Sequence, residues 1–438
     1  VKEQFFDLAD RLFGARRAGE TLLCWLAAER SDFVRFNRGR VRQAGSVEQR
    51  FLSVRLVRER RQAAATIAIA GSAEDLEPAR AAIDRLREVL TALPEDPWLA
   101  VAERPSSIST VRRSRVVAAE EVARQIVAAA AGRDLVGCYA GGTIYRGLAN
   151  SFGSRNWHEV DSHNLDWSLV LGADRAVKSA YAGFDWDPAV FAKRLETAAD
   201  ELALMAIPLR TIEPGEYRAY LGPRAVDELV GLLCWGGFSA RARATKQSPL
   251  LRMEHDATLS PKVTFTENTA EGVAAQFQPD GFVKPASVVL VADGRLGDAL
   301  VSPRSAKEYG LETNAAAAHE SPESLDMAAG GLEPDEALAA LDTGLAIGNL
   351  WYLNFSDRPA GRITGMTRFA TFWVEHGRIV APVRPMRFDD SIYRMLGASL
   401  VDLTASRELL LDPSTYDGRS TASARLPGAL LGSLRFTL

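Results

Sequence analysis

Hydrophobic positions recur at helical spacing in five stretches of the chain and alternate at strand spacing in most of the rest. Residues 4–18 put Phe5, Leu8, Leu12 and Phe13 on one face, which predicts an amphipathic helix. A clearer one runs through "SAEDLEPARAAIDRLREVLTAL" (72–93), with Ser72 as N-cap, acids in the first turn, and Ile83, Leu86, Val89, Leu90 and Leu93 recurring on one side. "PEDPW" breaks it. "AAEEVARQIVAAAAG" (118–132) and "DPAVFAKRLETAADELALMA" (187–206) read as further helices, the second capped by Asp187 with Pro188 at its first position. The fifth is "RAVDELVGLLCWGG" (224–237).

The segments between them alternate. "FVRFNRGRV" turns at Asn37-Arg38-Gly39, and "FLSVRLV" and "AAATIAIAG" follow. "LVGCYAGGTIYRGLANSFG" (135–153) and "NLDWSLVLGADRAVKSAYAGF" (164–184) read as strands joined by glycine turns and an Ala173-Asp174-Arg175 turn. Beyond residue 208, strands and turns dominate: "KVTFTEN", "SVVLVADGRLGDALVS", "LAIGNLWYLNF", "RFATFWVEHGRIVAPV" and "GALLGSLRFTL". Helix and strand do not alternate in a βαβ rhythm, so the expected class is α+β with largely antiparallel sheets. The proline, glycine and acids of "IPLRTIEPGEYRAYLGP" mark a boundary. Two domains are expected: residues 1–207, made of two helix-plus-hairpin units split near 105, and a mostly β domain over 208–438.

At 438 residues, 47% hydrophobic and 25% charged, the composition is that of a soluble globular protein. A formal net charge of −4 argues against a strongly basic nucleic-acid binder. The first twenty residues carry charges throughout and offer no signal-peptide core, and no run approaches the ~18 apolar residues of a membrane span. Cys24, Cys138 and Cys234 are widely spaced in apolar settings, as expected for buried free thiols in a reducing cytoplasm.

One string invites a chemical reading. "WHEVDSH" (157–163) holds H-E-x-x-x-H, two imidazoles around a glutamate, a set that could carry zinc and a general base. Metal candidates are therefore His158, Glu159 and His163. Residues five apart lie about 140° apart on a helix and on opposite faces of a strand. Turn formers precede the string and an alternating strand, "NLDWSLVLG", follows it, so the two histidines are expected to flank a solvated turn and not to converge. His255, His319 and His376 stand alone.

Other features suggest binding rather than catalysis. Residues 35–61 hold nine arginines against two glutamates. Without interleaved aromatics this stripe reads as a solvated hairpin face, with Arg38, Arg40 and Arg42 as candidates to line a cavity or a partner interface. Trp351, Tyr352, Phe355, Phe369, Phe372 and Trp373, with Arg368 among them, could form a groove in which an extended peptide adds to a strand edge. An ordinary β core explains the same residues. Asp389-Asp390 is expected to cap a turn or helix before "SIYRMLG".

The C-terminal stretch "GNLWYLNFSDRPAGRITGMTRFATFWVEHGRIVAPVRPMRFDDSIYRMLG" (348–397) resembles the signature region of the TldD/PmbA family, described as metallopeptidases and as modulators of DNA gyrase. "ERSDFVRFNRGRVRQAG", "SVRLV" and "GLANSFG" match too, so the resemblance spans nearly the whole chain. It implies a two-domain α+β fold, a cytoplasmic location and a dimer. TldD-like members carry H-E-x-x-x-H on a helix opening the C-terminal domain, and a cysteine near the C-terminus. PmbA-like (TldE-like) members lack these ligands and act as partner subunits. Here the corresponding helix, "RAVDELVGLLCWGGFSARA" (224–242), has no histidine, and "TYDGRSTASARLPGALLGSLRF" has no cysteine. The string at 158–163 falls where the family has a strand pair.

The resemblance therefore implies a PmbA/TldE-like chain that takes part in proteolysis of unfolded peptides, without catalytic residues or cofactor of its own. Zinc is expected in a TldD-like partner. Expected partners are a TldD-like paralogue or a second copy, and an extended peptide substrate; membrane and nucleic acid are not expected. Two alternatives stand beside it: a self-sufficient metal-dependent hydrolase, and a non-enzymatic interaction protein modulating a topoisomerase.

Overall fold

The computed structural model describes residues 1–115, 117–172 and 175–437. The expected turn at Ala173-Asp174 lies outside the described residues. Among the described residues the strands form two sheets, of seven and eleven strands. The architecture is α+β, and no described helix is long and apolar enough to cross a membrane.

The first sheet contains β1 (Thr21–Asn37), β2 (Arg40–Arg58), β3 (Arg61–Ala68), β4 (Ser109–Arg112), β5 (Leu135–Asn150), β6 (Arg155–Gly172) and β7 (Arg175–Gly183). Its order is β3-β2-β1-β5-β6-β4, with β7 also on β6. The two expected helix-plus-hairpin units thus share one sheet, joined by fourteen antiparallel β1–β5 pairs from Leu23↔Asn150 to Phe36↔Gly137. Arg38 (φ +54°) and Gly39 (φ +64°) make the β1–β2 turn, where left-handed backbone fits a tight hairpin.

Four helices cover the outer face of this sheet: α1 (Lys2–Gly14), α2 (Leu76–Leu90), α3 (Ala119–Ala129) and α4 (Pro188–Leu204). Their ends follow the sequence signals. Ser72 and Asp75 form a reciprocal capping box in the 3₁₀ turn before α2, and the Asp187 carboxylate accepts from the amides of Ala189 and Val190 with Pro188 at the first turn of α4. Phe5, Leu8 and Leu12 of α1 and Ile83 and Leu86 of α2 pack on Leu22, Leu26, Val54 and Leu56. Val122 and Ile126 of α3 and Phe191 and Leu195 of α4 pack on Val34, Leu165, Trp167 and Leu169.

The second sheet contains β8 (Gly215–Leu221), β9 (Phe265–Glu267), β10 (Val288–Ala292), β11 (Arg295–Leu296), β12 (Ser324–Met327), β13 (Gly344–Asp357), β14 (Arg362–Glu375), β15 (Arg378–Pro382), β16 (Arg387–Ser391), β17 (Leu400–Leu411) and β18 (Ser423–Phe436). Helix α5 (Pro223–Leu233) buries Ala225, Val226, Leu229, Val230, Leu232 and Leu233 against it. Asp389 and Asp390 lie within β16, not at a helix cap. Asp389 faces Arg362 (2.9 Å), while Asp390 takes two bonds from Arg394 (2.9 and 3.0 Å).

The inner face of the first sheet meets segments of the C-terminal half. Val273 packs with Ile144 and Val160, and Phe277 meets Trp25 edge-on at 5.8 Å. The segment after β17 crosses this face through Arg419. Its guanidinium donates to Gly142 O (3.0 Å), Ser162 O (2.7 Å) and Ser162 Oγ (2.7 Å), and its backbone amide donates to Glu29 (3.2 Å).

Candidate functional site

His158, Glu159 and His163 all lie inside β6, not in a turn, and all are buried. The β5–β6 register runs without a break from Leu135↔Leu169 to Ala149↔Arg155, so odd and even positions face opposite sides. His158 points to the inner face, where its Nε2 lies 3.0 Å from Val273 O. His163 points outward into an aromatic nest: the ring of Tyr139 stacks at 6.4 Å, and Tyr181 and Trp186 meet it edge-on at 5.0 and 5.4 Å. Glu159 accepts from Trp157 Nε1 (3.2 Å) and pairs with Arg113. Burial pushes both imidazoles down to about 4, keeping them neutral at ordinary pH. The expected solvated turn is replaced by a long hairpin with both faces covered.

Zinc needs about three donors converging on one point with a position left for water. The rings of His158 and His163 diverge, and among the described residues no group of three His, Cys, Asp or Glu side chains converges in that way. The residues present do not fit the metal.

A cleft of about 1210 Å³ opens between the inner face of the first sheet and the C-terminal half. Its floor includes Glu29, Arg35, Cys138, Asp166 and Lys178; its wall is Phe369 and residues 413–418. Parity explains the floor: Arg35 pairs with Cys138, and Cys138 with Asp166, so their side chains share one row of the inner face. Phe369 reaches the cleft from a left-handed backbone position (φ +57°). A smaller recess beside it is lined by Cys138, Asn164, Asp166, Asp412 and Arg419.

Helix α5 reaches the floor of this cleft through one side chain. Arg224 contacts Asp166 (3.2 Å), which also faces Lys178 (3.5 Å). Asp227, one turn along, is pushed up to about 6 by burial, with Arg224 opposing and Glu228 and Asp412 reinforcing the shift.

The candidates named from the residue pattern scatter around this cleft rather than filling it, for the stripe of arginines splits by position. Arg35 and Arg42 line the cleft, while Arg38 and Arg40 are exposed at a separate shallow surface with residues 127–134. Trp351 and Tyr352 are exposed, with Arg368 stacked 4.4 Å over the Trp351 ring. They lie on the part of β13 beyond Ile347, where β8 no longer pairs with it. Phe372 is buried in the core with Ala346 and Val374, since its strand position faces inward, and it offers no groove surface. Cys24 is buried, whereas Cys138 and Cys234 are half-buried and Cys138 lines the cleft. Sequence reasoning missed Asp166, Lys178, Asp227 and Arg419, which no local motif marks.

Residues 214–437, just over half of the chain, match the family model of the PmbA/TldA metallopeptidase C-terminal domain. The chain belongs to the TldD/PmbA family. The resemblance read from residues 348–397 is thereby confirmed. Three solved structures share the fold of this family member. A proposed modulator of a DNA gyrase from Thermotoga maritima has 16% identity and TM-score 0.80, covering 99% of this chain and 100% of that one. TldE from Thermococcus kodakarensis has 13% identity and TM-score 0.82, covering 99% and 100%. A proposed modulator of DNA gyrase from Bacteroides thetaiotaomicron has 15% identity and TM-score 0.77, covering 100% and 98%. No curated protein matches the chain.

Proposed function

We propose that the chain is a PmbA/TldE-like subunit that takes part in proteolysis of extended peptides beside a metal-bearing TldD-like chain in the cytoplasm. The observation that carries this reading is α5: the helix that reaches the cleft floor through Arg224 carries Arg224, Asp227 and Glu228 as its charged residues, and no imidazole. A chain without a metal cage still contributes by supplying one wall of a substrate cleft and by stabilising its partner through a shared interface. The cleft volume suits an extended segment better than a small metabolite. The exposed pair Trp351–Tyr352, beside the unpaired edge of β13, offers aromatic anchors for a partner chain or peptide. The shared fold with a TldE structure supports the same placement.

The test is reconstitution. A TldD-like chain from the same source is co-purified with this one, and cleavage of an unfolded reporter peptide is followed. The expected result is a stable complex in which this chain alone cleaves nothing and the mixture cleaves. Cleavage by this chain alone, lost on chelation, would reject the reading.

A further inference from the structure

A second cavity, of about 310 Å³, lies away from the cleft and no part of the preceding reading uses it. It sits between the inner face of the first sheet and the hairpin around Phe277, where Phe277 and Val283 pair. One side is apolar: Trp25 and Phe277 in edge contact, with Ala275, Pro279 and Ala317. The other side carries charge, from Arg146, Lys284, Asp280 and Glu323. Lys284, buried, is paired with Glu323, and Asp280 with Arg55. Arg146 is left over. Its Nη1 reaches only carbonyl oxygens, Tyr145 O at 2.9 Å and Ala28 O at 3.5 Å, and no carboxylate bonds it among the described residues. Burial disfavours its charge, with Glu29 and Glu323 opposing from a distance.

A second donor belongs to the same wall. Gln278 is 3% exposed and lines the cavity. Its Oε1 accepts from the Asp280 amide, which fixes the orientation of the amide group, and its Nε2 has no partner among the described residues. A half-buried guanidinium without a carboxylate partner and a buried amide N–H without an acceptor both favour the arrival of an anionic acceptor. Arginine's fork matches a carboxylate. The apolar wall is broad enough for one ring, and the volume sits at the lower limit of small-molecule pockets.

We propose that this pocket binds a carboxylate carried on a ring-sized apolar body, the acid group on Arg146 and Gln278 and the ring against Trp25 and Phe277. Such an acid could be a free small molecule or the last residue of a peptide; both present the same chemistry. The full chain is titrated calorimetrically with 3-phenylpropionate and with N-acetylphenylalanine, each beside its uncharged amide. Saturable binding of an acid is expected, with affinity about tenfold or more lower for the amide and for Arg146→Met. Ala318→Trp, at an exposed rim position, should abolish binding while leaving the fold intact, and it serves if Arg146→Met fails to fold. Preference for N-acetylphenylalanine assigns a peptide C-terminus; preference for 3-phenylpropionate assigns a free acid. No binding of either acid, equal binding of the amides, or binding indifferent to Ala318→Trp overturns the proposal. None of these outcomes depends on whether the chain supports proteolysis.

Discussion

Strand β6 and helix α5 each fall short of a metal site, for different reasons. β6 carries two imidazoles and a glutamate within six residues but divides them between two faces, because an odd spacing on a strand separates side chains. α5 reaches the cleft floor only through Arg224, on Asp166, and its other charged side chains, Asp227 and Glu228, are carboxylates, not imidazoles. Donor identity and donor geometry are independent requirements, and neither element meets both. A motif acquires chemical meaning only from the element that displays it.

The division of β6 is tested most strongly by its outward face. Trp167 is 1% exposed and meets Phe191 edge-on at 6.1 Å. Trp167→Ala should cost about 4 kcal/mol in urea denaturation. A cost under about 1 kcal/mol would mean that the outer face is not core. The inward face is tested by Arg419→Ala, which strips the donors from Gly142 O and Ser162 and leaves Glu29 short of one counter-charge. A loss of about 3 kcal/mol is expected, and no change would break the claim that this face is covered.

Smaller effects separate the titrating groups of the two elements. His163 is held neutral to about 4, below its ordinary value of 6.5. Between those values the unfolded chain takes up a proton that the folded chain refuses, so stability is lost as pH falls from 6.5 toward 4. His163→Phe removes that loss, and the stability gap between parent and variant should shift by about 2 kcal/mol in favour of the variant between roughly pH 7 and pH 4.5. Asp227 has the opposite sign. Its value is raised from 3.8 to about 6, so the folded state holds the extra proton and stability falls as pH rises from about 4 to 6. Asp227→Asn should therefore stabilise the chain near pH 8 by ~1 kcal/mol, reduced by its partial exposure. Denaturation curves at the two ends of each window check both signs.

Helix positions were legible because caps and apolar spacing are local: Ser72, Asp187-Pro188 and the Phe5–Leu8–Leu12 face appear where the residues put them. Family membership was legible in "TGMTRFATFWVEHGRI" and its neighbours. Residues 158–163 misled because both faces of β6 are buried yet polar. Glu159, Asp161 and Ser162 find Arg113, Thr143 and Arg419 from distant segments, so polarity there looks like a turn although it is a satisfied interior. The cleft and its recess were illegible for the same reason: Cys138, Asp166, Lys178 and Asp412 come from three strands and the segment after β17, and only tertiary packing assembles them. Phe372 looked like a groove residue in an aromatic run, but β14 is buried on both faces from Ala370 to Val374, so Phe372 meets core and not solvent.

Zinc content of the purified full chain, measured by inductively coupled plasma mass spectrometry beside His158→Ala, tests the contrast between β6 and α5 most directly. The account predicts no stoichiometric zinc in either protein and no difference between them. One zinc per chain in the parent, lost on substitution of His158, would contradict it.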